Sequence, residues 1–260
     1  MKKSNISKIK KETSWGPVAG WYDELLSDND TYQAKVILPN LLRILPPKDK
    51  KIIDIACGQG FFSKIYAEGG ADVLGVDISP ELIAKANEFA GEKLKFEIAD
   101  ATNLSSTKDN SFDAAIIVLA LQNIKELSGT IKEASRVLVR GGVLVLVLNH
   151  PCFRILKNSS WGYDETQKVQ YRRVDAYGRP FSSEIVMNPG TKESEKPVYT
   201  VSFHRPLQEY VKALVGAGLL ITGLEEWISH KKSESGPRAE AEDTARKEFP
   251  MFLTIIAKKS

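Results

Sequence analysis

Three acidic residues and two glycines are spaced along the first hundred residues in a pattern that suits ligand binding. Asp54, Gly58 and Gly60 lie within the stretch DIACGQG, and Asp77 and Asp100 each end a later apolar run. Glycines between a buried strand and a helix allow a tight turn and let backbone N–H groups approach a ligand. Asp77 follows Asp54 by 77 − 54 = 23 residues, about the spacing at which an acid meets ribose hydroxyls in doubly wound folds. The pattern indicates a site for a ribose-containing ligand.

The glycine pattern is incomplete for a dinucleotide. Pyrophosphate-binding loops need a third glycine three residues after the second, and Ser63 occupies that position. Each acid also has a simpler explanation, with Asp54 as a buried acceptor that organises the loop, Asp77 as a helix cap and Asp100 as a turn former. Taken together, the three acids are expected at adjacent strand ends, where sheets of this kind bind their ligands.

All three histidines fall at or near loops predicted to face a substrate. His150 follows the apolar run VLVLVLN, His204 precedes a predicted helix, and His230 follows the run EEWIS. Histidine is the side chain able to take up a proton near neutral pH, so His150 is the first candidate for a catalytic base and His204 the second. The alternative for each is a histidine that hydrogen-bonds the backbone and anchors its segment.

Strands and helices alternate from residue 51 to residue 149, which predicts a parallel sheet with helices on both faces. Five strands are expected, in KIIDIA, ADVLGVD, KLKFEIAD, SFDAAIIVLAL and VLVLVLN. Ser79 and Pro80 predict the start of one helix, and paired glycines predict the end of the helix in SGTIKEASRVLVRGG. After an irregular stretch the pattern resumes with a helix, a strand, a short charged helix and the last strand, MFLTIIAKK.

This constellation resembles the class I S-adenosylmethionine-dependent methyltransferases, in particular the type 11 and ubiquinone/menaquinone methyltransferase-like group. The likeness covers Lys51 to about Asn149 and returns in the terminal helix and strands. The family's first motif stands as DIACGQG, with Ala56 in place of its first glycine. The resemblance implies a Rossmann-like, doubly wound α/β sheet of seven strands with the last strand antiparallel, and S-adenosyl-L-methionine as the cofactor.

The resemblance also implies a set of cofactor-binding residues: Tyr22, Asp54, Ala56, Gly58, Gly60, Asp77, Ile78, Asp100, Ala101 and Leu119. Asp77 would take both ribose hydroxyls, and Ile78 would pack against the adenine. Asp100 would accept a hydrogen bond from the adenine amino group. A tyrosine of the N-terminal helix, Tyr22 or Tyr32, would close over the cofactor, unless the aromatic residues of that helix serve only in packing.

We predict one α/β domain with an insertion. Its segments are an N-terminal tail with cofactor-covering helices (1–50), the cofactor-binding core (51–149), a substrate-lid insertion (150–205) and a C-terminal helix with the last two strands (206–260). The insertion interleaves aromatic residues with arginines, which suits a flat or anionic substrate but would also suit a packed lid. Those arginines are Arg154, Arg172, Arg173 and Arg179.

Charge and composition narrow the classes of function. The 36 basic and 33 acidic residues give a net charge of +3, too balanced to indicate a nucleic-acid or membrane partner. The first residues lack the apolar core of a signal peptide, and Cys57 and Cys152 lack metal-ligand spacing, so we expect a cytoplasmic protein without a metal. The predicted function is methyl transfer to a small molecule on O, N or C. Alternatives are an RNA or protein methyltransferase, a nicotinamide oxidoreductase and a non-catalytic cofactor-binding protein.

Overall fold

The computed structural model describes Gly20, residues 30–186 and residues 197–260. Within them, the strands are β1 Lys51–Ile55, β2 Asp72–Asp77, β3 Leu94–Ile98, β4 Phe112–Val118, β5 Leu138–Asn149, β6 Ser159–Asp164, β7 Val169–Val174, β8 Phe181–Val186, β9 Tyr199–His204, β10 Leu219–Trp227 and β11 Phe252–Lys259. The α-helices are α1 Leu38–Ile44, α2 Phe61–Glu68, α3 Pro80–Ala86, α4 Leu127–Val137, α5 Leu207–Gly216 and α6 Ala239–Glu248. A π-helical turn, Gln33–Ile37, leads into α1, and a short 3-10 turn, Leu121–Asn123, follows β4.

Seven of the strands form one sheet in the order β10-β11-β5-β4-β1-β2-β3. β3, β2, β1, β4 and β5 are parallel, whereas β11 is antiparallel to both β5 and β10. The carboxyl ends of β1, β2 and β4 therefore meet at one edge of the sheet. This order and the antiparallel last strand confirm the predicted class I methyltransferase fold.

Apolar layers cover both faces of the sheet. Along β1, Ile53 and Ile55 pack on the layer that contains the buried residues of α4 and α5, and Ile52 packs on the opposite layer with Leu41 of α1 and Tyr66 of α2. Side chains of a strand alternate between the two faces, so a strand covered on both sides is apolar at most of its positions. That requirement is the reason the run KIIDI marked the strand correctly.

The predicted helix boundaries hold in one case and fail in another. The Ser79 hydroxyl accepts a hydrogen bond from the Leu82 N–H at 3.3 Å, and Pro80 begins α3 as expected. The paired glycines, by contrast, do not end α4, which stops at Val137. Gly141 and Gly142 lie inside β5, beside a break in the β4–β5 register, because glycine also marks irregular positions in strands.

The stretch between β5 and α5 forms two hairpins rather than helices. β6 pairs with β7, β8 pairs with β9, and β9 packs against the Leu121–Asn123 turn. Most hairpin residues are partly or fully exposed, which explains why no sustained apolar period was visible in the sequence. In the described part of the chain, no helix has both the length and the apolar character that a bilayer crossing requires.

Candidate functional site

A cleft opens where β1, β2 and β4 end. Its walls include Asp54, Gly58, Asp77, Ile78, Leu82 and Leu119. The lining residues that the structure describes include two carboxylates but no lysine, arginine or histidine. The cleft is therefore acidic at one wall and apolar at the other, a combination that suits hydroxyl groups, a cation and a flat ring.

Asp77, at the end of β2, is held in place by the backbone. Its Oδ2 accepts from the Gly58 N–H and its Oδ1 from the Ser79 N–H, both at 2.9 Å. Burial raises the pKa of Asp77, and these two N–H groups act against that rise. Each carboxylate oxygen retains further acceptor capacity, so the group is oriented and still able to bind ligand hydroxyls.

The glycine loop between β1 and α2 has the backbone geometry that its sequence predicts. Gly58 has φ +58° with no atom near its missing side chain, whereas Gly60 has φ +83° and lies against Phe96, where an added Cβ would be 2.6 Å from the ring. Ala56 also adopts a left-handed conformation, with φ +59°, which L-residues other than glycine adopt at a cost. The loop thus brings Gly58 to the cleft while Gly60 allows α2 to pack closely.

Asp54 is almost completely buried and is paired with Ser63. The Ser63 hydroxyl donates to Asp54 Oδ2 at 2.6 Å, and both side chains are buried. Burial raises the pKa of Asp54 to about 7, with a further contribution from the charge of Asp77. The residue that interrupts the dinucleotide glycine pattern therefore supports a carboxylate of the cleft, a role that its sequence position alone did not indicate.

The remaining predicted cofactor residues divide into three groups. Ile78 and Leu119 line the cleft, and Leu119 has φ +51°. Asp100 Oδ1 accepts from the backbone N–H and the hydroxyl of Thr102, both at 2.8 Å, as the turn-former alternative expects, and Ala101 is buried next to it. Adenine recognition by these two residues stays a prediction, and Tyr22 lies outside the described residues.

The Leu121–Asn123 turn separates the cleft from a second pocket. Asn123 lines the cleft and Gln122 lines the second pocket. Arg205 holds the turn by donating to the Leu121 carbonyl at 2.9 Å and to the Ile124 and Lys125 carbonyls at 2.6 and 2.8 Å. No local sequence pattern predicts the role of this buried arginine, because its partners lie about 80 residues earlier in the chain.

His150 has both ring nitrogens in hydrogen bonds. Nε2 lies 2.7 Å from Glu226 Oε1, and Nδ1 accepts from the Cys152 N–H at 3.2 Å. The side chain is 3% exposed, and burial lowers its pKa. Because no lone pair of the ring faces a pocket, this geometry favours the anchoring alternative over the catalytic base.

His204 is placed differently. Its Nε2 lies 2.8 Å from the Tyr177 carbonyl oxygen, so Nε2 carries the proton and Nδ1 has the lone pair. The ring lines the second pocket, together with Asn149 and Phe181. His230, the third histidine, contacts Asp30 through Nε2 at 3.1 Å and Tyr32 edge-on. Of the three, His204 is the histidine that a substrate in the second pocket would meet.

Comparisons with known proteins match this geometry. Residues 53–146 match the family model described as a methyltransferase domain. The chain is 32% identical over 164 residues to the demethylmenaquinone methyltransferase of Paenarthrobacter aurescens, an alignment that covers 61% of this chain and 63% of that protein. It is 28% identical over 105 residues to the ubiquinone biosynthesis O-methyltransferase of Xanthomonas axonopodis pv. citri, over 39% of this chain and 43% of that one. The chain thus spans less than two thirds of the length of these relatives.

Among solved structures, the S-adenosylmethionine-dependent methyltransferase of Mesorhizobium loti is similar over most of the chain. Its TM-score is 0.66 at 26% identity, covering 85% of this chain and 96% of that one. Residues 53–146 therefore match a methyltransferase domain in sequence, and the cofactor that the similar proteins imply is S-adenosylmethionine. The cleft fits it, because Asp54 and Asp77 suit an ammonium group and ribose hydroxyls, and Ile78 and Leu82 suit an adenine ring.

Proposed function

We propose that the protein transfers the methyl group of S-adenosylmethionine to a small-molecule acceptor. The observation that carries this proposal is the pair of pockets on either side of the Leu121–Asn123 turn, one acidic and suited to the cofactor, the other large enough for a small molecule. The names of the relatives, which refer to demethylmenaquinone and to ubiquinone biosynthesis, support a small-molecule acceptor over a macromolecule. Transfer to O, N or C is open.

When bound, S-adenosylmethionine supplies an electrophilic methyl group. In the proposed reaction, Asp77 binds the ribose hydroxyls and Asp54 faces the cationic end of the cofactor. The turn held by Arg205 fixes the position of one pocket relative to the other. Since displacement at a sulfonium reduces charge, alignment and exclusion of water contribute more than charge stabilisation. His204 Nδ1 accepts a proton where the acceptor must lose one.

The alternatives fit the cleft less well. A nicotinamide dinucleotide carries a pyrophosphate, which is bound by free backbone N–H groups at a helix N-terminus or by basic side chains. The Gly58 N–H is already bonded to Asp77, and the described walls of the cleft contain two carboxylates and no basic residue. The net charge of +3 gives little attraction for RNA. A non-catalytic binding protein would not need a second pocket beside the cofactor.

The test is transfer of label from methyl-labelled S-adenosylmethionine into a metabolite extract. We expect the purified protein to label a product of small-molecule size, whereas Asp77→Ala, which should bind the cofactor about 10- to 100-fold more weakly, labels it more slowly at a subsaturating cofactor concentration. Titrations with S-adenosylhomocysteine and with NADH run in parallel. Binding of NADH in place of S-adenosylhomocysteine, or label found in RNA or protein only, would contradict the proposal.

Cofactor affinity should depend on pH through Asp54. Its pKa of about 7 means that the side chain is largely protonated at pH 6 and largely ionised at pH 8. A cationic ligand binds better to the ionised form, so we expect S-adenosylmethionine to bind roughly tenfold more tightly at pH 8 than at pH 6. Calorimetric titration at several pH values measures this change.

The matched control for this pH dependence is Asp54→Asn, which keeps an acceptor for the Ser63 hydroxyl but does not titrate. The amino group of the cofactor itself titrates near pH 8, and that contribution should remain in the variant. Only the difference between the two proteins therefore reports on Asp54. A variant with the same pH profile as the wild type would exclude Asp54 as the titrating group.

Substitution of His204 should lower turnover, whereas substitution of His150 should lower stability. His204→Gln keeps an N–H for the Tyr177 carbonyl but removes the basic nitrogen, so label transfer to an acceptor that must be deprotonated should fall about 10²- to 10⁴-fold, with S-adenosylhomocysteine affinity unchanged. His150→Ala should instead lower the free energy of unfolding by about 1–3 kcal/mol, since the Cys152 N–H loses its acceptor. Turnover that falls only in the His150 variant would reverse this assignment.

A further inference from the structure

The second pocket has a charge opposite to that of the cofactor cleft. It has a volume of about 220 Å³ and lies beyond the Leu121–Asn123 turn, at the carboxyl end of β5. Its lining includes four basic side chains and, among the residues that the structure describes, no aspartate or glutamate. The four are Arg154, Lys157, Arg172 and Arg205.

Arg205 and Arg172 both donate hydrogen bonds to neutral groups of the protein. The Arg205 guanidinium donates to the three backbone carbonyls of the turn described above. Arg172 donates through Nε to the Phe153 carbonyl at 2.8 Å and through Nη2 to the Ser159 hydroxyl at 2.7 Å. Both partners are neutral, so these contacts orient the Arg172 guanidinium without neutralising it.

Arg154 makes no side-chain hydrogen bond or ion pair with any residue in the described parts of the chain. Its side chain faces the open pocket, while the protein atoms around it lower its pKa through desolvation. The pKa of Arg172 is lowered by desolvation and by the charge of Arg154. Arg154 and Arg172 line the same pocket, and its described lining contains no carboxylate that would offset their like charges.

Several arginines outside the pocket are paired with a carboxylate. The pairs are Arg43 with Glu225, Arg136 with Glu133, Arg173 with Asp175 and Arg238 with Glu165, each within ion-pair distance. A like-charged pair at a pocket costs stability, and that cost is recovered when an anion binds. Guanidinium groups suit carboxylate and phosphate oxygens because they donate two parallel hydrogen bonds.

We propose that the second pocket binds an acceptor with an anionic group, a carboxylate or a phosphate, held between Arg154 and Arg172. This inference rests on the proposed function. Phe181 and Phe203 also line the pocket and offer apolar surface to the rest of the molecule. Gln122 of this pocket is adjacent to Asn123 of the cleft, so the two pockets neighbour each other across the turn, and His204 lines the pocket in which the acceptor would bind.

The experiment uses three small aromatic probes, benzoate, phenyl phosphate and the neutral benzyl alcohol. Each is titrated by ligand-observed NMR against the full-length protein, with and without saturating S-adenosylhomocysteine. We expect one or both anions to bind roughly tenfold or more tightly than benzyl alcohol, and more weakly as salt is added. The tighter of the two anions identifies the group as carboxylate or phosphate.

Arg154→Gln and Arg172→Gln should each remove most of this preference, whereas Arg173→Gln, an exposed arginine paired with Asp175, should leave it unchanged. Arg154→Gln is the cleaner variant, because Arg154 makes no hydrogen bond whose loss could disturb the hairpin. Equal affinity for benzyl alcohol and the anions, or an equal loss in the Arg173 variant, would overturn the inference.

S-adenosylhomocysteine binding distinguishes failure of the proposed function from failure of the proposed anion site. If the protein binds S-adenosylhomocysteine but shows no preference for anions, the anionic acceptor is excluded and the proposed function still stands. If the protein does not bind S-adenosylhomocysteine, the proposed function is excluded. The titrations without S-adenosylhomocysteine still show whether Arg154 and Arg172 bind anions.

Discussion

Asp77→Ala is expected to bind S-adenosylhomocysteine about 10- to 100-fold more weakly than the wild type. Asp77 is the carboxylate that two backbone N–H groups aim into the cleft, and its removal leaves ribose hydroxyls without an acceptor. Loss of a partner for a buried polar group costs about 1–3 kcal/mol, and about 1.4 kcal/mol corresponds to tenfold in affinity. Isothermal titration calorimetry measures the change directly.

The matched control is Asp72→Ala. Asp72 begins the same strand, β2, at the opposite edge of the sheet, and it is exposed. The Asp72→Ala variant should bind S-adenosylhomocysteine with the affinity of the wild type. Because Asp77 also accepts from the Gly58 and Ser79 N–H groups, thermal unfolding of both variants must show that they are folded at the temperature of the titration. Equal affinity of the folded Asp77 variant and the wild type would remove Asp77 from the site.

Arg205→Met should lower the free energy of unfolding by roughly 3 kcal/mol or more. The side chain is 9% exposed and donates to three carbonyls of residues 121–125. Hydrogen bonds from a charged donor contribute about 1.5–3 kcal/mol each, and methionine fills much of the space without replacing any of them. Urea unfolding of the variant and the wild type gives the difference.

This substitution should also affect both pockets at once. The turn that Arg205 holds contributes Asn123 to the cofactor cleft and Gln122 to the second pocket, so the folded variant should bind S-adenosylhomocysteine less tightly and transfer label more slowly. Arg173→Met is the control, since Arg173 is exposed and contacts Asp175. If both variants lost the same stability, the carbonyl contacts of Arg205 would not be what stabilises the turn.

The sheet could be predicted because its strands carry their own signal. A strand that is buried on both faces is mostly apolar, as β1 and residues 143–148 of β5 are, and the acids that interrupt such runs lie near the carboxyl ends of the strands. Asp54 and Asp77 were found in this way, and both line the cleft. The glycines at 58 and 60 carried similar information, since a backbone with positive φ favours glycine.

Other parts of the site depend on contacts between residues far apart in the chain. His150 is bound by Glu226, 76 residues later, and Arg205 binds carbonyls about 80 residues earlier. No local sequence pattern predicts such partners. The sequence therefore favours His150 as a base only because it follows a strand at the edge of the sheet where ligands bind. Ser63 was counted only as a missing glycine because the sequence does not show that its hydroxyl points at Asp54.

The hairpin segment was unpredictable for a different reason. The strands β6 to β9 are short and mostly half-exposed, so their residues are not sorted into a strict alternation of polar and apolar types. The sequence indicated arginines and aromatic residues there, but not which of them face inward. The structure separates Arg154 and Arg172, at the pocket, from Arg173, which points to solvent.

The opposite charges of the neighbouring pockets bear on how the protein would exchange its ligands. In the proposed reaction the donor arrives with a sulfonium charge that Asp54 and Asp77 attract, and it leaves without that charge. The spent molecule is then held less firmly than a fresh one, so replacement is favoured and inhibition by the by-product is reduced. In the proposed reaction, the acidic cleft would therefore favour exchange of the by-product for a new donor molecule.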